Sequence, residues 1–326
     1  MEAFRTMNDA AKNLRLLAGN ANPELAQEIS KYLDIPLVDA QVGHFNNGEI
    51  QVMIGESVRG KDIFIIQPTC QPVNENLMEL LIMTDACKRA SARSVTAVVP
   101  YYAYARQDRK TRGREPISAK LVANLMSAAG LSRVVTVDLH AGQIQGFFDI
   151  PVDHLAAAPA LADYFRKLNL GDMIVVSPDL GGVTRARNMA DLLGTSIAIV
   201  EKRRPRPGCA EVMNLIGDVK GKTCIMIDDM VDTAGSLCEG AKALKKLGAK
   251  EVYACCSHGI LTDPAVQRIQ DSCIKQLVIT NTIPLAPEKR HEKIVSISLA
   301  PMLAEFIECI YENKPVSKLF DKDWAK

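Results

Sequence analysis

Short, unbroken apolar runs recur along the chain, at positions 62–67, 95–100, 134–139, 173–177, 196–200, 224–227, 252–256 and 277–280. Stretches with apolar residues at helical spacing separate many of them, at 76–90, 117–129, 159–167, 182–193, 237–247 and 264–271. Strands apolar on both faces, alternating with helices, predict parallel sheets covered by helices on both sides. The expected class is α/β.

The pattern also repeats. "ACKRASARSVTAVV", from Ala86, resembles "ALKKLGAKEVYACC", from Ala243, with Ala86, Lys88, Ala92, Val95 and Ala97 recurring at Ala243, Lys245, Ala249, Val252 and Ala254. The offset of 157 is close to half of the 326 residues. Two amphipathic helices can look alike by chance, but an offset near half the length favours two related domains. The stretch between Pro151 and Pro159 is the best boundary, giving domains 1–155 and 156–326, the last ~20 residues being candidates to pack back on the first domain.

Composition narrows the class. Thirty-nine basic against thirty-eight acidic residues leave a net charge of +1, which argues against a broad nucleic-acid footprint. No apolar stretch is long enough to span a bilayer, and residues 1–13 lack an apolar signal core. Nine scattered cysteines, none in a C-x-x-C pair, support neither a disulfide framework nor a zinc site. They point to a reducing, cytoplasmic compartment with mostly buried thiols. "GESVRGKD" and "GDVKGKT" are imperfect P-loops. The first ends in Asp62 instead of a hydroxyl residue, the second is one residue short, and both precede a strand.

The stretch "TCIMIDDMVDTAGS" carries the sharpest chemistry. An apolar strand delivers Asp228 and Asp229 to its carboxyl end, the edge where open α/β sheets bind ligands. Asp232, Thr233, Ala234, Gly235 and Ser236 then lead into a helix. Small residues let backbone N–H groups approach an anion, and the helix N-terminus favours negative charge there. The loop suits a phosphate, and the acids suit hydroxyls or a magnesium ion. A sugar phosphate such as ribose 5-phosphate carries both. A bare N-cap after an acidic turn is the plainer alternative. The complete string is more specific, and it resembles the phosphoribosyl pyrophosphate binding motif of the phosphoribosyltransferase-like fold.

Four further stretches extend the resemblance. "VVTVDLHAGQIQGFFDIPVDH" sets Asp138 and His140 at a strand end, and "SPDLGGVTRARNMA" sets Asp179 and a Gly-Gly turn at another. "AIVEKRRPRPG" puts Lys202, Arg203, Arg204 and Arg206 just after a strand, and "YARQDRK" is a second basic cluster. Together, and over nearly the whole chain, these resemble the ribose-phosphate pyrophosphokinase family of the phosphate-regulated, hexameric class I. The resemblance implies two similar phosphoribosyltransferase-like domains, each a mainly parallel sheet flanked by helices. It also implies that the 1-hydroxyl of ribose 5-phosphate attacks the β-phosphorus of Mg2+-bound ATP and AMP leaves, giving 5-phosphoribosyl 1-pyrophosphate for nucleotide biosynthesis.

Residue roles follow from the same resemblance. Lys202 and Arg204 match the catalytic cations of a flexible loop, Arg204 also reaching the sugar phosphate; a solvated basic loop is the alternative for either alone. Asp228, Asp229, Asp232, Thr233, Ala234, Gly235 and Ser236 match the ribose 5-phosphate site, with Ser236 where many members have Thr. Arg106, Gln107 and His140 match ATP contacts. Phe45, Asn47, Gly48 and Glu49, in "HFNNGE", match an adenine-holding segment given by a neighbouring subunit; the same letters read as a hairpin turn, and a turn can present the contacts. Asn47 stands where many members have Asp. His140 and Asp179 match magnesium-site residues, Asp179 otherwise serving as a helix cap. The first-domain counterpart of the acidic loop, "QPTCQPVNEN", lacks the acid pair, so the second domain is expected to hold the sugar and the first to supply ATP and subunit contacts.

The family further implies a homohexamer inhibited by ADP and activated by phosphate; the balanced charge and the lack of a long apolar stretch predict no nucleic-acid or membrane partner. Two other readings compete: a non-catalytic regulatory subunit, and a phosphoribosyltransferase that consumes the product. The uninterrupted lid and sugar-phosphate loop argue against the first. The "YARQDRK" and "HFNNGE" stretches argue against the second.

Overall fold

The computed structural model describes residues 13–203 and 212–316, with 201–203, 212 and 213 given by their backbone. The chain divides into two units. One runs to Leu155 and takes in the chain again from Ala300; the other is Ala156–Leu299. The expectation assigned only about the last twenty residues to the first half, whereas the returning segment starts earlier, at the helix that begins with Ala300.

The first unit is built from β1 (Leu14–Ala18), α1 (Pro23–Leu33), β2 (Ala40–His44), β3 (Ile50–Ile54), β4 (Asp62–Ile66), α2 (Val73–Arg89), β5 (Ser94–Val99), α3 (Ser118–Ala129), β6 (Arg133–Val137) and β7 (Val152–Leu155). Its sheet runs β1-β4-β5-β6-β7, with every pairing parallel. β4 and β5 are buried along most of their length, as unbroken apolar strands under helices on both faces must be. β2 and β3 form a separate antiparallel hairpin. α1 starts where Asn22 accepts the Leu25 amide at 3.2 Å with Pro23 in the first turn, a capped start that an apolar-run count does not register.

The second unit holds α4 (Ala158–Lys167), β8 (Met173–Ser177), α5 (Val183–Leu193), β9 (Ser196–Arg203), β10 (Val212–Ile216), β11 (Thr223–Val231), α6 (Gly235–Lys246), β12 (Glu251–Gly259), α7 (Ala265–Asp271), β13 (Ile274–Thr280) and β14 (Ile294–Ile297). The sheet order is β10-β9-β8-β11-β12-β13-β14. Only the edge pair β9–β10 is antiparallel, so the sheet is mainly parallel. α8 (Ala300–Tyr311) returns to the first unit and packs on α1.

The internal repeat is structural. α2 and α6 end at Arg89 and Lys246, 157 positions apart, and β5 and β12 open at Ser94 and Glu251, again 157 apart. Each unit has its own apolar core: Ile63, Ile65, Leu80, Met83 and Met126 are among the buried residues of the first, and Ile174, Met226, Leu244, Val252 and Leu277 of the second. Five of the eight described cysteines, Cys70, Cys87, Cys224, Cys255 and Cys256, are buried.

Candidate active site

β11 is longer than its apolar run. The run stops at the acids, but the strand continues through Asp228 and Asp229 to Val231, because β12 runs beside it to the end: Asp228 pairs with Cys256, Met230 with His258 and Val231 with Gly259. On the other side β8 pairs only as far as Met226 with Val176. The acid pair therefore stands past the end of β8, where the sheet opens at its carboxyl edge.

β8 leaves that edge through Asp179 into α5. The Ser177 hydroxyl donates to the Asp179 carbonyl at 2.7 Å, and Oδ1 of Asp179 accepts the Gly182 amide at 2.9 Å. This turn starts α5 beside the acids. Nη1 of Arg185, on the first turn of α5, then lies 3.3 Å from Oδ1 of Asp228 and 3.5 Å from Oδ1 of Asp229. Asp229 is buried and Asp228 half-buried. Burial, and next the neighbouring Asp229, push the Asp228 carboxyl up to about 7, while Arg185 pulls it back.

Beyond Val231 the chain turns through Ala234, which takes a left-handed φ of 58°, into α6. Thr233 and Ser236 are exposed, Asp232 and Gly235 half-buried and Ala234 buried. The first amides of a helix have no partner within it, so this rim offers donors and hydroxyls to an anion within the same loop as the acids. Asp228, Asp229 and the stretch from Asp232 to Ser236 are thus one surface of one unit.

The counterpart in the first unit is filled by its own side chains. Gln67, buried, accepts the Ala21 amide at 3.1 Å and donates to Glu79 at 2.7 Å, while Asn76 donates to the Cys70 carbonyl at 2.8 Å. Gly19 shows how tight the packing is: a Cβ there would sit 2.2 Å from the Gln67 amide oxygen.

The other sequence-predicted residues lie on both units. Phe45, Asn47, Gly48 and Glu49 form the exposed tip of the β2–β3 hairpin, where Asn47 accepts the Glu49 amide at 3.2 Å and Gly48 has φ +88°. A cavity of about 860 Å3 lies between this tip and α2, lined by Phe45, Glu49, Asn74 and Met78 among others. Arg106 and Gln107 are exposed between β5 and α3, and the Gln107 amide oxygen accepts the Ser118 hydroxyl. His140 is exposed three residues beyond β6, after Asp138 at φ 39°. Lys202 was expected just after a strand; it lies within β9, paired with Met213, because the antiparallel partner β10 prolongs the strand through Arg203. Arg204 and Arg206 fall outside the described residues.

Among the described residues no three His, Cys, Asp or Glu side chains cluster as a tightly held metal would require. Asp179 and His140 are both exposed, one on each unit; a carboxylate and an imidazole are side chains able to ligate magnesium, an ion that needs few protein ligands when waters and substrate phosphates supply the rest. Sequence reasoning passed over two arginines. Arg185 had a readable signal, a cation one helical turn after the Asp179 loop; the other, Arg268, had none.

The N-terminal domain of ribose phosphate pyrophosphokinase matches residues 14–130, and the phosphoribosyl synthetase-associated domain matches residues 198–321. The ribose-phosphate pyrophosphokinase of Bacillus caldolyticus is 59% identical over 97% of this chain and 100% of its own length. That of Clostridium perfringens is 58% identical over 96% of this chain and 99% of its own. The crystal structure of phosphoribosylpyrophosphate synthetase from Mycobacterium smegmatis superposes with a TM-score of 0.88 at 48% identity, covering 93% of this chain and 100% of that one. With the acid pair and its loop on one sheet edge, and with relatives this similar along nearly their whole length, the chain belongs to the ribose-phosphate pyrophosphokinase family.

Proposed function

We propose that this chain transfers the pyrophosphoryl group of ATP to the 1-hydroxyl of ribose 5-phosphate, giving 5-phosphoribosyl 1-pyrophosphate and AMP. Family membership supports the reaction. The observation that carries the site is the juxtaposition of Asp228 and Asp229 with the hydroxyl-bearing loop at the start of α6.

The residues divide the work by charge. Asp228 and Asp229 accept hydrogen bonds from the 2- and 3-hydroxyls and so orient the sugar. Thr233, Ser236 and the first amides of α6 hold the 5-phosphate, with Asp232, Ala234 and Gly235 shaping the loop. Oxygen 1 then gives up its proton to solvent and forms a bond to the β-phosphorus as the bond from that phosphorus to the α–β bridging oxygen breaks, and AMP leaves with that oxygen. Little covalent work falls to the protein in such transfers; positioning and charge stabilisation dominate. Lys202 and Arg204 stabilise the charge that builds on the moving group, Arg204 also contacting the sugar phosphate. Phe45 stacks on adenine, Asn47 and Glu49 read its edge or the ribose from the turn that Gly48 completes, Arg106 and Gln107 contact ATP, and His140 contacts its phosphates.

His140 and Asp179 would hold magnesium, which when bound neutralises phosphate charge. The hairpin tip serves a neighbouring subunit's ATP in a homo-oligomer, a hexamer in the family's form, with phosphate and ADP as effectors. The scattered cysteines support a cytoplasmic setting. No helix among the described residues is long and apolar enough to cross a membrane.

Phosphorus NMR of the protein with magnesium, ATP and ribose 5-phosphate tests the reading. AMP appearing with a 1-pyrophosphorylated sugar is expected. ADP with a singly phosphorylated sugar, or no turnover by folded protein supplied with phosphate, would sink it.

A further inference from the structure

The loop at the start of α6 is held from behind by a residue far away in sequence. Nη1 of Arg268, on α7, donates to the Thr233 carbonyl at 2.9 Å. The same guanidinium lies over the next turn of the loop: a Cβ on Gly235 would sit 3.4 Å from Nη1 and 3.9 Å from Cζ. The thiol of Cys238, on α6, reaches the Arg268 carbonyl at 3.5 Å, so the same residue of α7 meets both α6 and the loop before it. The base of the loop is fastened too, by the Leu261 amide to the Val231 carbonyl at 3.0 Å.

The physical consequence concerns the direction of the peptide dipoles. An anion at this rim needs N–H groups facing it and carbonyls facing away. Ala234 takes the left-handed conformation that lets the chain reverse there, at a cost for a residue with a Cβ. A carbonyl fixed on a cation behind the loop opposes relaxation of that turn. The guanidinium also places positive charge beside the loop, at the end of α6 that carries the positive pole of its dipole.

We propose that Arg268 is a positioning residue for the phosphate of the sugar substrate: it clamps the Thr233 carbonyl and keeps the amides and hydroxyls of the loop presented outward. This rests on the reading of Asp232 to Ser236 as the phosphate loop. Arg268 does not touch the reacting atoms, so its removal weakens sugar-phosphate binding and leaves the ATP side unaffected.

The test compares full-length wild-type protein with Arg268→Met, Arg268→Lys and Ser236→Ala by steady-state kinetics, varying each substrate in turn. Losing a charged hydrogen bond predicts that Arg268→Met raises KM for ribose 5-phosphate about tenfold. KM for ATP and kcat should stay within about twofold, and Arg268→Lys, which keeps the charge but loses the fork, should show a smaller rise of about threefold in KM for the sugar. If Arg268→Met fails to fold, the Lys variant is read in the same way. A KM for the sugar unchanged in the folded Arg268 variants, while Ser236→Ala raises it, overturns the positioning role alone. Equal losses for both substrates also overturn it, since they mark a general structural role. No effect of Ser236→Ala overturns the phosphate-loop reading, and this inference falls with it.

Discussion

Arg185 reaches from α5 to both acids of β11, its Nη1 3.3 Å from Asp228 and 3.5 Å from Asp229. A cation there offsets the repulsion between two adjacent carboxylates and favours their ionised form, the form able to accept two sugar hydroxyls. Arg185→Met should therefore move the acidic limb of the pH profile of kcat/KM for ribose 5-phosphate to higher pH, by up to about one unit. A limb that does not move would show that the arginine leaves the pair's ionisation untouched.

Asp228 should also show a conflict between function and stability. Its carboxyl is raised from 3.8 to about 7, chiefly by burial and then by Asp229. The folded state then binds more protons than the unfolded state between those values, so stability falls as pH rises through that window. Asp228→Asn removes the titration. It should stabilise the protein relative to wild type at pH 8, by about 1 kcal/mol after allowing for solvent screening of a half-open site, and by much less at pH 5. Urea unfolding at both values checks this; an equal effect at both would contradict it. Turnover of ribose 5-phosphate should fall at either pH.

Lys202 stands on β9, at the stem of the β9–β10 hairpin. If it stabilises charge on the transferred group, Lys202→Ala should lower kcat by about 10²–10³-fold while changing KM for ribose 5-phosphate little. Unchanged turnover would remove it from the mechanism.

Phe45 is 50% exposed, so within one protomer it does little for the core. Phe45→Ala should leave the urea midpoint unchanged and raise KM for ATP roughly tenfold, the usual scale for losing a base stacked on an aromatic ring. An unaltered KM for ATP would separate the hairpin tip from adenine.

Phe165 is the opposite case. It is fully buried, with Tyr164 and Tyr253 set edge-on at 5.7 and 6.2 Å between ring centroids. Phe165→Ala should destabilise the second unit by about 3–5 kcal/mol, read as an earlier unfolding transition. A loss below about 1 kcal/mol would mean that the surrounding rings close the gap.

The sequence by itself determined the strands whose apolar runs are unbroken, the helix-to-strand repeat at an offset of 157, and the acidic string with its loop. These are local signals: burial on both faces selects apolar runs, helical spacing marks the covering helices, and a phosphate loop needs small residues in consecutive positions. The turn of hairpin β2–β3 was readable in Asn47 and Gly48, but its strands and strand β10 were not, because half-exposed or edge strands carry mixed residues; β11 outran its apolar stretch because β12 supplied hydrogen bonds beyond the acids. Only the tertiary structure decided which charges meet. Arg185 lies 43 residues from Asp228, and Arg268 lies 35 from Thr233. Both contacts depend on how α5 and α7 pack at the sheet's carboxyl edge, and no spacing along the chain encodes that packing.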